Sequence, residues 1–298
     1  MDYQPLTVRQ ARVTVSVTRP NTSGQPTVQT YVFQQHRMHI TVRQGGQQFQ
    51  NAKVEVYGVA LVTMNQIARL WLESLAPSNS DTLAIDVWDG QTFVPFFQGV
   101  IAWSAVDASG MPHVKLVLEA NASMLLANTV ASPYANAGPT SLQNALTNIV
   151  QPAGFALDYS ATAPQYLLTD VRASGTPLEQ VGHIMSHFPD LAWFVNLQRL
   201  VVTQANAPYD TNSVRIAPET GMMASPAYST SGIQFNTVFD PRLRPGTSLD
   251  VHTQFDYINR TVWVARVLAH QLEPNVPGGA WLTSVAANSY GSKGNAQN

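Results

Sequence analysis

Two histidines four residues apart, His183 and His187, stand on a stretch that reads as a helix. At that spacing their rings share one face, as zinc ligands do in the His-Glu-x-x-His arrangement. Residue 184 is isoleucine, so the general base of that arrangement is missing, and Asp190, the nearest carboxylate, lies past the expected helix end. His36 and His39 are three apart on an expected strand, which points them to opposite faces. Both pairs read as structural or surface groups, with no metal. Glycoside hydrolysis needs two carboxylates about 5–9.5 Å apart. The candidates are Glu73, Asp81, Asp86 and Asp89, spread over a helix end, a loop and a hairpin with nothing in their spacing to pair them. No Gly-x-Ser-x-Gly elbow, P-loop or Gly-x-Gly-x-x-Gly occurs, which leaves acyl transfer and nucleotide binding without support. The chain reads as a non-enzyme with no cofactor.

The elements around these residues are mostly strands. Val13, Val15 and Val17 alternate with polar residues inside Leu6–Thr18, the period of a half-buried strand. Val28–Phe33, His39–Val42 and Ala52–Val62 continue the pattern, with Gln44–Gln48 as a Gly-Gly turn. The period then changes. Thr63–Ala76 puts Ile67, Leu70, Trp71 and Leu75 on one helical face and stops at Pro77. Thr82–Trp88 and Thr92–Phe97 form a hairpin around Asp89-Gly90, and Gly99–Trp103 and Val114–Ala120 complete a β-barrel over residues 1–122. Its Trp88, Trp103, Phe96 and Phe97 read as hairpin and strand residues rather than a glycan platform. Residues 123–224 read as a small α/β domain and connector. It holds a helix at Ser141–Val150, a strand at Phe155–Tyr159, a hairpin from Leu191–Val195 and Arg199–Thr203, and a connector at Ala205–Ala224. Its second helix begins with Thr176-Pro-Leu-Glu179, a capping box with proline at the first helical position; Leu178, Val181, Met185 and Phe188 are its inward stripe. Residues 225–288 read as a second antiparallel barrel: strands at Ile233–Phe239, Thr247–Val251, Thr261–Leu268 and Trp281–Val285, with Trp263 and Trp281 in its core. Residues 289–298 read as a flexible tail.

Bulk composition narrows the setting. Of 298 residues only 11% are charged, against about 25% in a typical soluble chain. A surface so poor in charge repels neighbours weakly and suits a protein covered by partners in an assembly. The net charge of −2 and the absence of Lys/Arg clusters argue against nucleic-acid binding. There is no cysteine, which excludes disulfides and thiolate metal sites. The N-terminus has no signal-peptide pattern, no apolar run approaches the ~20 residues of a membrane span, and synthesis in the cytoplasm is expected.

The second barrel region carries a resemblance. A strand leads to Asp240-Pro241 and Pro245-Gly246; another strand follows, then Trp263–His270, and last Gly279-Ala-Trp281-Leu-Thr283. This order of turns and strand ends resembles the C-terminal barrel of the baseplate hub proteins of contractile-tailed phages, the late control protein D family, to which the N-terminal part of the type VI secretion spike protein VgrG is related. Phe97-Gln-Gly99-Val-Ile101 resembles a stretch of the family's first barrel. The resemblance implies a mainly β fold in which two tail-tube-like antiparallel β-barrels flank a small α/β domain. It also implies a homotrimer in the virion baseplate that joins the sixfold tail tube protein to the threefold central spike protein. Six similar units on a threefold ring relieve that symmetry mismatch. A tape-measure protein and other baseplate proteins are further implied partners, and DNA would cross the channel without specific binding. A tail-associated cell-wall hydrolase and a glycan-binding adhesin are the alternatives.

Overall fold

The computed structural model describes residues 9–20, 23–45, 50–69, 81–209, 212–229 and 232–292. These fall into two compact units: one from Met1–Val42, Gln50–Met124 and His270–Trp281, the other from Arg43–Phe49, Leu125–Ala269 and Leu282–Asn298.

The first unit is an antiparallel sheet with a short helix. In chain order come β1 (Ala11–Pro20), β2 (Pro26–Phe33), β3 (Met38–Gly45) as far as Val42, β4 (Asn51–Tyr57), α1 (Leu61–Ile67), β5 (Thr82–Trp88), β6 (Phe93–Asp107) and β7 (Lys115–Asn121). The strand order is β3-β4-β7-β6-β5-β1-β2. β1 shows why these residues make strands: Ala11, Val13, Val15 and Val17 are wholly buried while the residues between them are half-exposed, so the period of two puts one face into the core. The segments expected as Thr92–Phe97 and Gly99–Trp103 are one strand, β6. It stays continuous because register shifts at Ile85/Asp86 and Ile101/Trp103 bend it from its pairing with β5 to its pairing with β7.

The helix expected over Thr63–Ala76 starts two residues earlier and has ended by Ala68, whose backbone is extended. Arg69 bridges to Ser104 of β6 instead, its N–H donating to the Ser104 carbonyl at 3.2 Å and hydroxyl at 3.0 Å. Helical pattern alone could not foresee that competing acceptor. Leu70, Trp71, Glu73 and Leu75 lie outside the described residues, as do residues 46–49 of the Gly-Gly turn.

The second unit contains α2 (Met124–Asn128) from its second residue on, β8 (Tyr134–Asn136), β9 (Thr140–Ser141), α3 (Leu142–Val150), β10 (Ala156–Tyr159), β11 (Leu167–Leu168), β12 (Val171–Ala173), α4 (Pro177–Met185), β13 (Leu191–Asn196) and β14 (Arg199–Gln204). Then come β15 (Ser213–Ile216), β16 (Ala227–Ser229), β17 (Gly232–Val238), β18 (Ser248–Val251), α5 (Asp256–Asn259), β19 (Thr261–Leu272) as far as Ala269 and β20 (Trp281–Ser292) from Leu282 on. β10, β14 and β13 form a three-stranded sheet in that order, with β10 parallel to β14. Both helices are built as their sequences dictate. Ser141 caps α3 by accepting from the Asn144 N–H. Thr176 and Glu179 close the capping box of α4. On α4 the buried face is Pro177, Gln180, Val181, Ile184 and Met185, while Leu178 and Phe188 of the expected stripe are half-buried.

β16-β17-β20-β19 run side by side, and β18 pairs with β19. β15 arises inside the region expected as a connector; it pairs parallel with β18, Val214 opposite Leu249 and Ile216 opposite Val251. These four residues join Phe235, Leu243, Trp263, Leu268 and Val285 in one core cluster.

Candidate functional site

Each residue that carried the resemblance sits at a turn, a close approach or a core position. Gly99 lies where β6 leaves β5 and meets the end of β7; a Cβ there would stand 2.7 Å from the backbone carbon and oxygen of Asn121. No side chain fits unless the strands part.

The Asp240–Gly246 turn is held by its own polar atoms. The Asp240 carboxylate accepts from the Arg242 N–H at 2.9 Å and takes the Arg242 guanidinium, Nη2 at 2.6 Å. Arg242 is thereby held above its ordinary pKa. Thr247 Oγ1 accepts from the Arg244 N–H, and Leu243 is wholly buried. Gly246 closes the turn at φ +86°, its N–H donating to Ala265 and its carbonyl accepting from Tyr209. That left-handed conformation is open to glycine at little cost. Burial alone pushes Arg244 down.

His270 is fully buried in the first unit, edge-on to Phe96 with ring centres 4.9 Å apart. The turn that follows is fastened to residues far away in sequence. Asn275 Nδ2 donates to the carbonyls of Gln34 and His36 at 2.9 and 2.8 Å, and Arg9 Nη1 donates to the carbonyl of Gly279 at 2.9 Å. Glu273 accepts from the Ala280 N–H at 2.9 Å and lies 3.4 Å from His39 Nδ1. Trp281 and Thr283 are buried on β20, with Thr283 opposite Thr237 of β17. These contacts hold the turn and the strand ends in place.

The chemistry-bearing residues are equally occupied. Asp81, with 3% of its side chain exposed, receives Arg19 Nη1 at 2.9 Å and Arg69 Nε at 2.9 Å, and accepts the Thr18 N–H at 2.8 Å. Arg19 and Arg69 also donate to the carbonyls of Ile67 and Thr18. This buried cluster ties the end of α1 to β1 and β6, and pattern reading missed it because its members are spread from residue 19 to 81 with no recurrent spacing. Asp86 pairs with Arg12 at 2.7 Å, and that guanidinium lies 4.9 Å over the Phe93 ring. Asp89 accepts the N–H groups of Gln91 and Thr92, which holds its carboxyl below the usual range. Three of the four hydrolase candidates thus have structural partners; Glu73 is outside the described residues.

His183 and His187 do share an exposed face, rings perpendicular with centres 5.5 Å apart. His36 is in the turn before β3 rather than on a strand, edge-on to Phe33. Among the described residues no group of three or more His, Cys, Asp or Glu side chains is arranged to hold a metal ion, and no helix is long and apolar enough to cross a membrane.

A family model described as baseplate hub gp41 matches residues 84–275. The fold is similar to that of a tail protein from Neisseria meningitidis MC58, with 10% identity, TM-score 0.61, and coverage of 94% of this chain and 96% of that one. It is similar to the 43 kDa tail protein of prophage MuSo2 from Shewanella oneidensis, with 9% identity, TM-score 0.60, and coverage of 93% and 96%. The c3393 protein of E. coli, a component of the type VI secretion system, aligns at 10% identity and TM-score 0.57 over 85% of this chain and 73% of that one. No curated protein matches the sequence. At these identities the structural likenesses speak for the fold alone.

Proposed function

The chain belongs to the baseplate hub gp41 family, and from that premise we propose that it is the adaptor ring of a phage baseplate. Its role is structural and its place is the virion tail. Three copies form a ring in which each contributes two tube-like β units, one built mainly from residues 1–122 and one mainly from 225–288 with β15 added, and an α/β region between them in sequence. The ring meets the tail tube protein on one side and the central spike protein on the other. A tape-measure protein or DNA occupies the channel. With 11% charged residues and a net charge of −2 the chain has little to hold phosphates. The chain itself performs no catalysis: Asp81, Asp86 and Asp89 already serve the fold.

The family match over residues 84–275 carries this reading. Its test is the mass in solution with and without purified tube protein. The expected result is a species of three times 32.4 kDa that co-elutes with tube protein and leaves peptidoglycan intact. A monomer that ignores tube protein would overturn the ring.

A further inference from the structure

The sheet of the first unit ends at β2, which pairs with β1 and, among the described residues, with no other strand. Its eight residues, Pro26-Thr-Val-Gln-Thr-Tyr-Val-Phe33, carry no charge, and proline stands only at the first. Residues 26–30 are all exposed, so neither face of the strand is covered there. Val28 and Val32 expose 63% and 54% of their area. Sheet edges are ordinarily guarded by lysines, internal prolines, bulges or short length. β2 has none of these inside it and runs in unbroken register from Val13↔Phe33 to Pro20↔Pro26. A neutral, β-prone window of this kind aggregates when it stays open. The outer face beside it is small and neutral as well. Its rows are Val32–Thr14–Ala84, Thr30–Ser16–Thr82 and Val28–Thr18.

We propose that β2 is a strand-addition site, completed by an extended, uncharged β-strand from a different baseplate protein. This deepens the hub reading and rests on it. Backbone N–H and C=O groups along an edge are answered by another strand, and the side chains flanking that edge select its character. Here they select a partner without charge. A second copy of this chain fits poorly. Of the other edges among the described residues, β15 and β10 have four residues and β16 three. The six-residue β13 has Leu191, Trp193, Phe194 and Val195 buried. Only β2 itself matches β2 in length, and that pairing is a twofold contact that closes a dimer rather than a threefold ring.

The chain has no cysteine, so Thr30→Cys gives a unique attachment point for a photo-crosslinker in full-length protein built into tails. The expected product is a crosslink to a different polypeptide, with β2 amide exchange slowed about 100-fold relative to the free protein. Val28→Lys with Val32→Lys is expected to cut incorporation into tails about tenfold while leaving the melting temperature of the free protein unchanged. A crosslink between two copies of this chain, β2 exchange as fast in tails as in the free protein, or full incorporation of the lysine variant would each overturn the proposal while leaving the hub reading intact. Absence of the wild-type chain from purified tails would overturn the hub reading, and this proposal with it.

Discussion

Asp81 shows what a single carboxylate does in a chain with so few charges. Two arginines and a backbone N–H converge on it; Arg19 also donates to the Ile67 carbonyl at the end of α1, and Arg69 to the Thr18 carbonyl on β1. Removing one partner of a buried ion pair leaves the others desolvated and unpaired, at a cost of about 3–5 kcal/mol. Arg19 and Arg69 keep about a fifth of their side-chain area in water, so the low end applies. Asp81→Asn is expected to lower unfolding stability by roughly 3 kcal/mol in urea titration. A loss below about 0.5 kcal/mol, the scale of a surface pair, would show that the cluster is ornamental. The residue could be named from the sequence, but its role could not. Chemistry-based search flags a carboxylate; it does not show which arginines the fold delivers to it.

Among the elements, the hairpin of β13 and β14 turns on Leu197 and Gln198, with φ of 47° and 57°. Tight two-residue hairpins favour Asn-Gly at such positions because side chains with a full Cβ are strained there. Leu197→Asn with Gln198→Gly is therefore expected to raise the melting temperature, by about 0.5–1 kcal/mol of stability, with unchanged secondary structure by circular dichroism. The hairpin was readable from its two apolar runs, and the α4 capping box from four residues, because both signals are local. β15 was not readable. Val214 and Ile216 alternate over only four residues, and the strand exists because β18, some 35 residues on, offers a parallel partner. The end of α1 was hidden for the same reason: Ser104 sets it from outside the helix.

For the whole molecule, the mainly β class was legible in period and turn chemistry, and the hub family as a resemblance that the family model bears out over residues 84–275. The division into units was harder to read, since His270–Trp281 belongs with residues far earlier in the chain. Charge is sparse but local where it occurs. Lys115 donates to Glu55 at 3.0 Å across β7 and β4. Burial raises the Glu55 pKa, but the hydrogen bond and charge of Lys115, with help from Lys53 and Tyr57, outweigh it and leave the carboxyl below its ordinary 4.5. The same bond raises Lys115 above 10.5. A depressed carboxyl stabilises the fold above its unfolded pKa and loses that contribution as pH falls through the folded value. A raised lysine does so below its unfolded pKa and loses it as pH rises through the folded value. The pair therefore contributes between about pH 5 and 10, by roughly 0.5–1 kcal/mol given its partial exposure. Lys115→Met should differ from wild type by that amount at pH 7 and match it near pH 3 in urea midpoints; an equal difference at both would refute the linkage. The fastening of Asn275 and Gly279 onto residues 9, 34 and 36 has a further consequence. A ribosome must translate past Gly279 before the strands at β1 and β2 can receive their clasp. Products that terminate before residue 275 are left without it, and only a polypeptide made beyond Gly279 brings a finished first unit to assembly.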